Sequence, residues 1–238
     1  MQLEASDLAD FYETPMGQGA RRAILRRVKA LWPEVRARRV LGYGYAVPYL
    51  TPWMAEAERV SAFMSAQQGV IAWPQSRNQT VLGDENALPF PDAFFDRILV
   101  VHGLEGAESA RPVLRQLWRV LAPEGRVLIV APNRASPWAQ LVRSPFALGR
   151  PYHRMELSNL LKSALLEPTA WDRALHLPPI TSRRLIGTGT TWENIGRRGW
   201  PALAGVHLVE ATKSLVTPLT EPVRARGKRV LSPARARP

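Results

Sequence analysis

Residues 81–132 read VLGDENALPFPDAFFDRILVVHGLEGAESARPVLRQLWRVLAPEGRVLIVAP, and this stretch decides the fold. Asp84 and Glu85 form an acidic turn, Leu88-Pro89-Phe90-Pro91 forms a second turn, and Ile98 to Val101 is a short apolar run. A second apolar run covers Val127 to Ala131. Both runs are short, rich in β-branched residues and bounded by turn formers, the pattern of strands buried in a parallel sheet. Between them Ala110, Val113, Leu114, Leu117 and Leu121 recur at helical spacing, and Pro123-Glu124-Gly125 supplies the stop. The unit is strand, helix, strand.

Moving outward, Gln79 to Leu82 reads as a preceding strand. Asp84 and Glu85 then stand at the carboxyl edge of the sheet, where doubly wound folds bind ligands. Either acid can instead cap its own turn. His102 and Glu105 follow the next strand at the same edge. An imidazole there suits general-base work or forms a pocket wall. Upstream, Arg39 to Leu50 (RVLGYGYAVPYL) reads as a strand and a glycine-containing turn, Pro52 to Arg59 as a short helix, and Val60 to Met64 as another strand.

Residues 5 to 32 read as one or two helices, with Ser6 or Asp7 as N-cap and a break at Pro15-Met16-Gly17. Arg21, Arg22, Arg26, Arg27 and Lys29 lie mostly off the apolar stripe of the second helix, a solvated face that can also meet an anionic substrate such as RNA. Downstream, Glu156 to Leu166 is an amphipathic helix, Ala170 to Leu177 a strand, Thr191 to Gly199 a short helix with Trp192 buried, and Ala204 to Lys213 a final strand.

The segment Asp84-Glu85, Leu88 to Asp92, Phe95-Asp96 and Arg119 to Pro132 resembles the second half of class I S-adenosylmethionine (SAM) dependent methyltransferases, with Glu124 where a glycine is usual. The loop LGYGYAVPYL, with QQGVIAWP at 67–74 and PNR at 132–134, is similar to a bacterial methyltransferase subgroup with an altered glycine-rich turn. The resemblance implies a Rossmann-like α/β fold: a doubly wound sheet of about seven strands, mostly parallel with an antiparallel last strand, and helices on both faces. It implies SAM as cofactor, with Gly42, Gly44, Tyr45, Ala46, Asp84, Glu85, Asn86 and His102 around it and His102 as the catalytic candidate. It also puts the methyl acceptor under the segment after the fifth strand, where Asn133, Arg134, Arg150, Tyr152 and Arg154 offer donors for a carboxylate or phosphate. The same arginines can simply pair with local carboxylates.

Two departures stand out. Gly42 occupies the place of the acid that ends the first strand, and Gly44, Ala46 and Pro48 stand where three glycines are usual. Met64 and Ser65 stand where an acid normally accepts the ribose hydroxyls, leaving Gln67 or Gln68 as a weaker acceptor.

With 238 residues, 46% hydrophobic and 22% charged, the chain is long enough for a sizeable core. No cysteine is present, which excludes disulfides, thiolate metal sites and a cysteine nucleophile. His153, His176 and His207 are scattered, so no metal is expected. No run approaches the ~18 apolar residues of a membrane span, so the expected location is the cytoplasm. The net charge is +12, of which residues 221–238 supply a surplus of five through Arg224, Arg226, Lys228, Arg229, Arg235 and Arg237 against Glu221. This tail reads as disordered, able to bind nucleic acid or an anionic surface, or to serve as a solvated extension. The expected organisation is N-terminal helices over 1–38, a methyltransferase-like domain over 39–215 and the basic tail over 216–238. Three functions remain open at this level: methyl transfer from SAM to an unidentified acceptor, a cofactor-free binding or scaffold protein contacting RNA or a protein partner, or a membrane-surface methyltransferase acting on a lipid or quinone.

Overall fold

A computed structural model describes residues 4–140, 144–176 and 189–214. The apolar runs pair into one seven-stranded sheet in the order β3-β2-β1-β4-β5-β7-β6. The strands are β1 (Arg39–Gly44), β2 (Arg59–Ser65), β3 (Thr80–Gly83), β4 (Phe95–Val101), β5 (Leu121–Pro132), β6 (Leu166–Ala174) and β7 (Val206–Lys213). Strands β1 to β5 pair in parallel, and β7 runs antiparallel to both β5 and β6. This is the expected Rossmann-like sheet. Its order reverses between β1 and β4, which opens the crevice that such sheets use for ligands.

Strand alternation splits the core in two. Leu99 and Val101 point to one face, where they join Ile24, Val28, Leu50 and Met64 under α1 (Ala5–Glu13), α2 (Pro15–Leu31) and α3 (Val47–Leu50). Ile98 and Val100 point to the other, where they join Leu114, Leu117 and Leu161 from α4 (Ala110–Val120) and a later helix, Arg154–Ser163. Between these last two lies the short α5 (Pro137–Gln140), so the later helix is α6; α7 (Gly189–Gly199) precedes β7. Glu210 is buried on β7 and satisfied by Trp32 Nε1 (2.8 Å) and Arg126 (2.9 Å), which fixes the end of α2 to the sheet.

Several boundaries differ from the sequence reading. Helix α1 starts after Glu4 with no side-chain cap, whereas Thr14 caps α2 by accepting the Gly17 N–H at 3.0 Å. The helix after β1 begins at Val47, before Pro52, because Pro48 fits a first helical turn. Pro123-Glu124-Gly125 does not end α4. The helix stops at Val120, Leu121 already pairs with Phe95, and the register then jumps so that Arg97 meets Arg126. The residues between form an irregularity in the ladder, where Pro123 can sit. Trp192 is only half-buried; among the described positions of α7, Glu193 and Gly196 are buried.

On α2, Arg21 donates to the Pro48 carbonyl (3.1 Å) and Arg27 to Asp172 (2.6 Å), so part of the basic face is spent on internal contacts. The expected tail at 216–238 lies outside the described residues. Among the described residues, no helix is long and apolar enough to cross a membrane.

Candidate functional site

The crevice at the ends of β1 and β4 is built from backbone that tolerates no side chain and from polar groups around it. At Gly42 a Cβ would come within 2.5 Å of Leu50 and 2.9 Å of Ala46, so α3 packs where the family's acid would stand. Gly44 has φ +72°, and a Cβ there would lie 2.5 Å from the Val101 carbonyl oxygen. Strand β1 therefore ends in direct contact with the end of β4.

His102 follows β4 with a left-handed backbone, φ 49°. Its Nδ1 lies 3.0 Å from Glu105 Oε1 and its Nε2 lies 2.8 Å from the Tyr12 hydroxyl, which in turn lies 2.9 Å from the Tyr49 hydroxyl. A carboxylate only accepts, so Nδ1 donates to Glu105, Nε2 accepts from Tyr12, and Tyr49 donates to Tyr12. All four side chains are buried, His102 at 1% exposure. Burial first, then Tyr49 and Glu105, holds the Tyr12 hydroxyl well above its ordinary pKa.

This relay ties α1 across the crevice. Tyr12 stacks on Tyr45 (5.8 Å between rings, 10° apart), and the Ala5 N–H donates to the Gln68 carbonyl at 2.8 Å. Gln68 also donates its side-chain amide to the His102 carbonyl at 2.7 Å. Beneath these groups Tyr43, Gly44, Ser65, Gln68, Glu85 and His102 line a void of about 10 Å³, room for a single water. On the outer side of Tyr12, a wide groove of about 920 Å³ runs along Tyr45, Val47, Thr51, Ile71 and Trp73. Tyr12 lines the groove and is linked to the crevice through its bond to His102.

Of the expected cofactor residues, Gly44, Glu85 and His102 line the crevice. Asp84 is exposed and accepts the Asn86 N–H at 2.8 Å, capping its own turn, and Asn86 is exposed beside it. Gly42 and Ala46 pack under α3, and Tyr45 faces the groove. Glu85 is buried, and burial raises its pKa although the Glu108 N–H bond (3.3 Å) opposes this. Tyr43 is likewise pushed up by burial, then by Glu85 and Asp84.

The expected acceptor residues do not gather at the crevice. Asn133 is buried and donates to the Ala202 and Ala204 carbonyls at 2.9 and 2.8 Å, stapling the end of β5 to the chain before β7. Arg134 and Arg150 share Glu156, each at 2.9 Å. Tyr152 donates to the Leu104 carbonyl at 3.2 Å, bracing the loop after β4. Arg154 alone turns away, its guanidinium 4.8 Å from the centre of the Trp171 ring.

Tyr12 has no sequence signature, since it reaches His102 from 90 positions away. Gln68 was legible as a polar residue near the end of β2, and Glu105 as an acid after β4.

Residues 41–129 match the family profile described as "Methyltransferase domain". Curated relatives include the demethylmenaquinone methyltransferase of Corynebacterium efficiens, 28% identical over 127 residues (53% of this chain, 55% of the relative). The demethylmenaquinone methyltransferase of Beutenbergia cavernae is 38% identical over 93 residues, covering 39% of this chain and 36% of the relative. This chain therefore spans about half or less of the length of these relatives. Among solved structures, an Aquifex aeolicus SAM-dependent methyltransferase superposes with a TM-score of 0.59 at 14% identity, over 88% of this chain and 98% of that one. A Haloferax volcanii complex between the Trm112 methyltransferase activator and a methyltransferase gives 0.62 at 15% identity, over 88% of this chain and 97% of the matched one.

SAM is the cofactor that this family implies. The polar groups of the crevice fit it: Tyr43 Oη is buried without a hydrogen-bond partner, as is Glu105 Oε2 behind His102, and Glu85 and Gln68 stand at the ends of β3 and β2. The crevice as closed holds about 10 Å³, so a cofactor enters only once it opens. Residues 41–129 thus match a methyltransferase-domain profile, on a sheet with the Rossmann-like fold of the SAM-dependent methyltransferase structures it superposes on.

Proposed function

We propose that the protein is a SAM-dependent methyltransferase that admits its cofactor when Tyr12 and α1 leave the crevice. The observation that carries this reading is the pair of unpartnered buried polar atoms, Tyr43 Oη and Glu105 Oε2, at the switch point of a methyltransferase-type sheet. A buried polar atom without a partner costs about 1–3 kcal/mol, and a bound ligand relieves that cost.

In the open state, Gln68 takes the place of the acid usual after β2 and Glu85 offers a carboxylate to the hydroxyl or amino groups of the adenosine part. The backbone at Gly44 and Gly103 borders the methionine part. SAM supplies a methyl group already activated on a sulfonium, so the protein's work is positioning and exclusion of water. Departure of Tyr12 frees His102 Nε2, and Glu105 holds the ring so that this nitrogen can take a proton from the acceptor. The names of the curated relatives make a hydroxylated quinol ring the first acceptor class to assay.

The test is transfer of a labelled methyl group from SAM to a demethylated naphthoquinol. The expected result is turnover that falls about 100-fold or more in His102→Gln. A second reading, a cofactor-free binding protein, is favoured by the closed crevice alone. It predicts that neither SAM nor S-adenosylhomocysteine binds.

A further inference from the structure

At the far end of the same sheet edge, the end of β6 and the start of β7 meet the first residue of α6 and the last turn of α7. There Arg154, Trp171, Arg173, His176, Arg197 and His207 line a pocket of about 310 Å³, the size that takes a small metabolite. Strand order puts β5 between this pocket on β7 and β6 and the crevice at β4, and the two share no lining residue.

Its charge is uncompensated. Among the described residues, none of Arg154, Arg173 and Arg197 forms an ion pair, while Asp172, the acid beside them, is committed to Arg27. The floor is polar and buried: His207 is 5% exposed with neither ring nitrogen hydrogen-bonded, and His176 has its Nδ1 held by Glu193 at 3.2 Å while its Nε2 has no partner. Trp171 supplies a rigid wall, with Arg154 on its face and His207 at its edge (6.3 Å between rings, 83° apart). Burial first, then Arg173, Arg154 and His153, lowers the pKa of His207 to about 4, so the ring is neutral at pH 7 and able to both donate and accept.

We propose that this pocket binds the phosphoryl group of a small molecule, with the three arginines as its cation set and the buried rings of His176 and His207 as its floor. Guanidinium forks match the geometry of a phosphoryl group bidentately, and three of them suit a dianion better than a monoanion. The assignment does not rest on methyl transfer.

The experiment titrates the full chain with phenyl phosphate and, in parallel, benzoate, while following the imidazole proton signals of His207. Phenyl phosphate should bind about tenfold or more tightly than benzoate and raise the His207 pKa, because an anion stabilises the protonated ring. Arg197→Gln and Arg154→Gln, both at exposed positions, should each weaken phenyl phosphate binding about tenfold, whereas Arg111→Gln on α4 should leave it unchanged. Absence of binding, equal binding of benzoate, or equal weakening by Arg111→Gln would each overturn the assignment.

Discussion

Replacing Tyr12 with Phe should tighten SAM binding while weakening the fold. In the closed crevice the Tyr12 hydroxyl holds His102 Nε2 at 2.8 Å and Tyr49 Oη at 2.9 Å, and all three groups are buried. Its removal leaves the imidazole nitrogen without its donor and Tyr49 without its acceptor, at a cost of about 1–3 kcal/mol to the closed state. The open state loses nothing comparable, because water reaches the same groups. At about 1.4 kcal/mol the open population rises about tenfold, and the apparent affinity for a ligand that binds only the open form rises equally. Titration calorimetry with S-adenosylhomocysteine measures the affinity, and a denaturant midpoint measures the accompanying loss of stability. Unchanged or weaker binding by a folded Tyr12→Phe would refute the gate. Weaker binding would mean that the hydroxyl itself contacts the ligand.

Two further predictions concern the frame around the site. Gly44→Ala forces a Cβ to 2.5 Å from the Val101 carbonyl at φ +72°, so it should lower unfolding stability by about 2–4 kcal/mol in a chemical denaturation series; an unaffected midpoint would contradict the close approach of β1 and β4. His207 has a folded pKa near 4 against an ordinary 6.5, so the folded chain binds fewer protons than the unfolded chain between those values. Its contribution is complete above pH 6.5 and is lost as the pH falls toward and through about 4, by at most about 3 kcal/mol. In His207→Gln this part of the acid sensitivity should disappear, and an unchanged pH profile would count against a neutral buried ring.

The sheet was legible because its signals are local. Two apolar runs around one amphipathic helix in residues 81–132 carry β4, α4 and β5, and their turns place an acid after β3 and a histidine after β4. What escaped the sequence was set by distant neighbours. Gly42 makes sense only once Leu50 and Ala46 are seen against it, and Tyr12 becomes a site residue only because α1 lies over His102. Which of Asp84 and Glu85 turns inward depends on how the chain leaves β3, which composition does not encode. For Arg134, Arg150 and Arg154 the sequence leaves open an anion clamp or local pairing; Glu156 pairs with the first two, and the third joins a cluster on β6 and β7 that lies more than fifty residues downstream in part.

The gate also gives physical content to the degenerate glycine turn. Around Gly44, Tyr43 stacks on Phe63 and lines the crevice, while Tyr45 and Tyr49 pack against Tyr12. Exchange between the two states is the step on which the proposed activity depends.

The central claim is that the closed crevice opens to take SAM. Calorimetric titration of the purified chain with SAM, alongside Tyr12→Phe, tests it most directly. The account predicts micromolar binding by the parent chain and tighter binding by the variant; the absence of binding by both, with the fold intact, would contradict it.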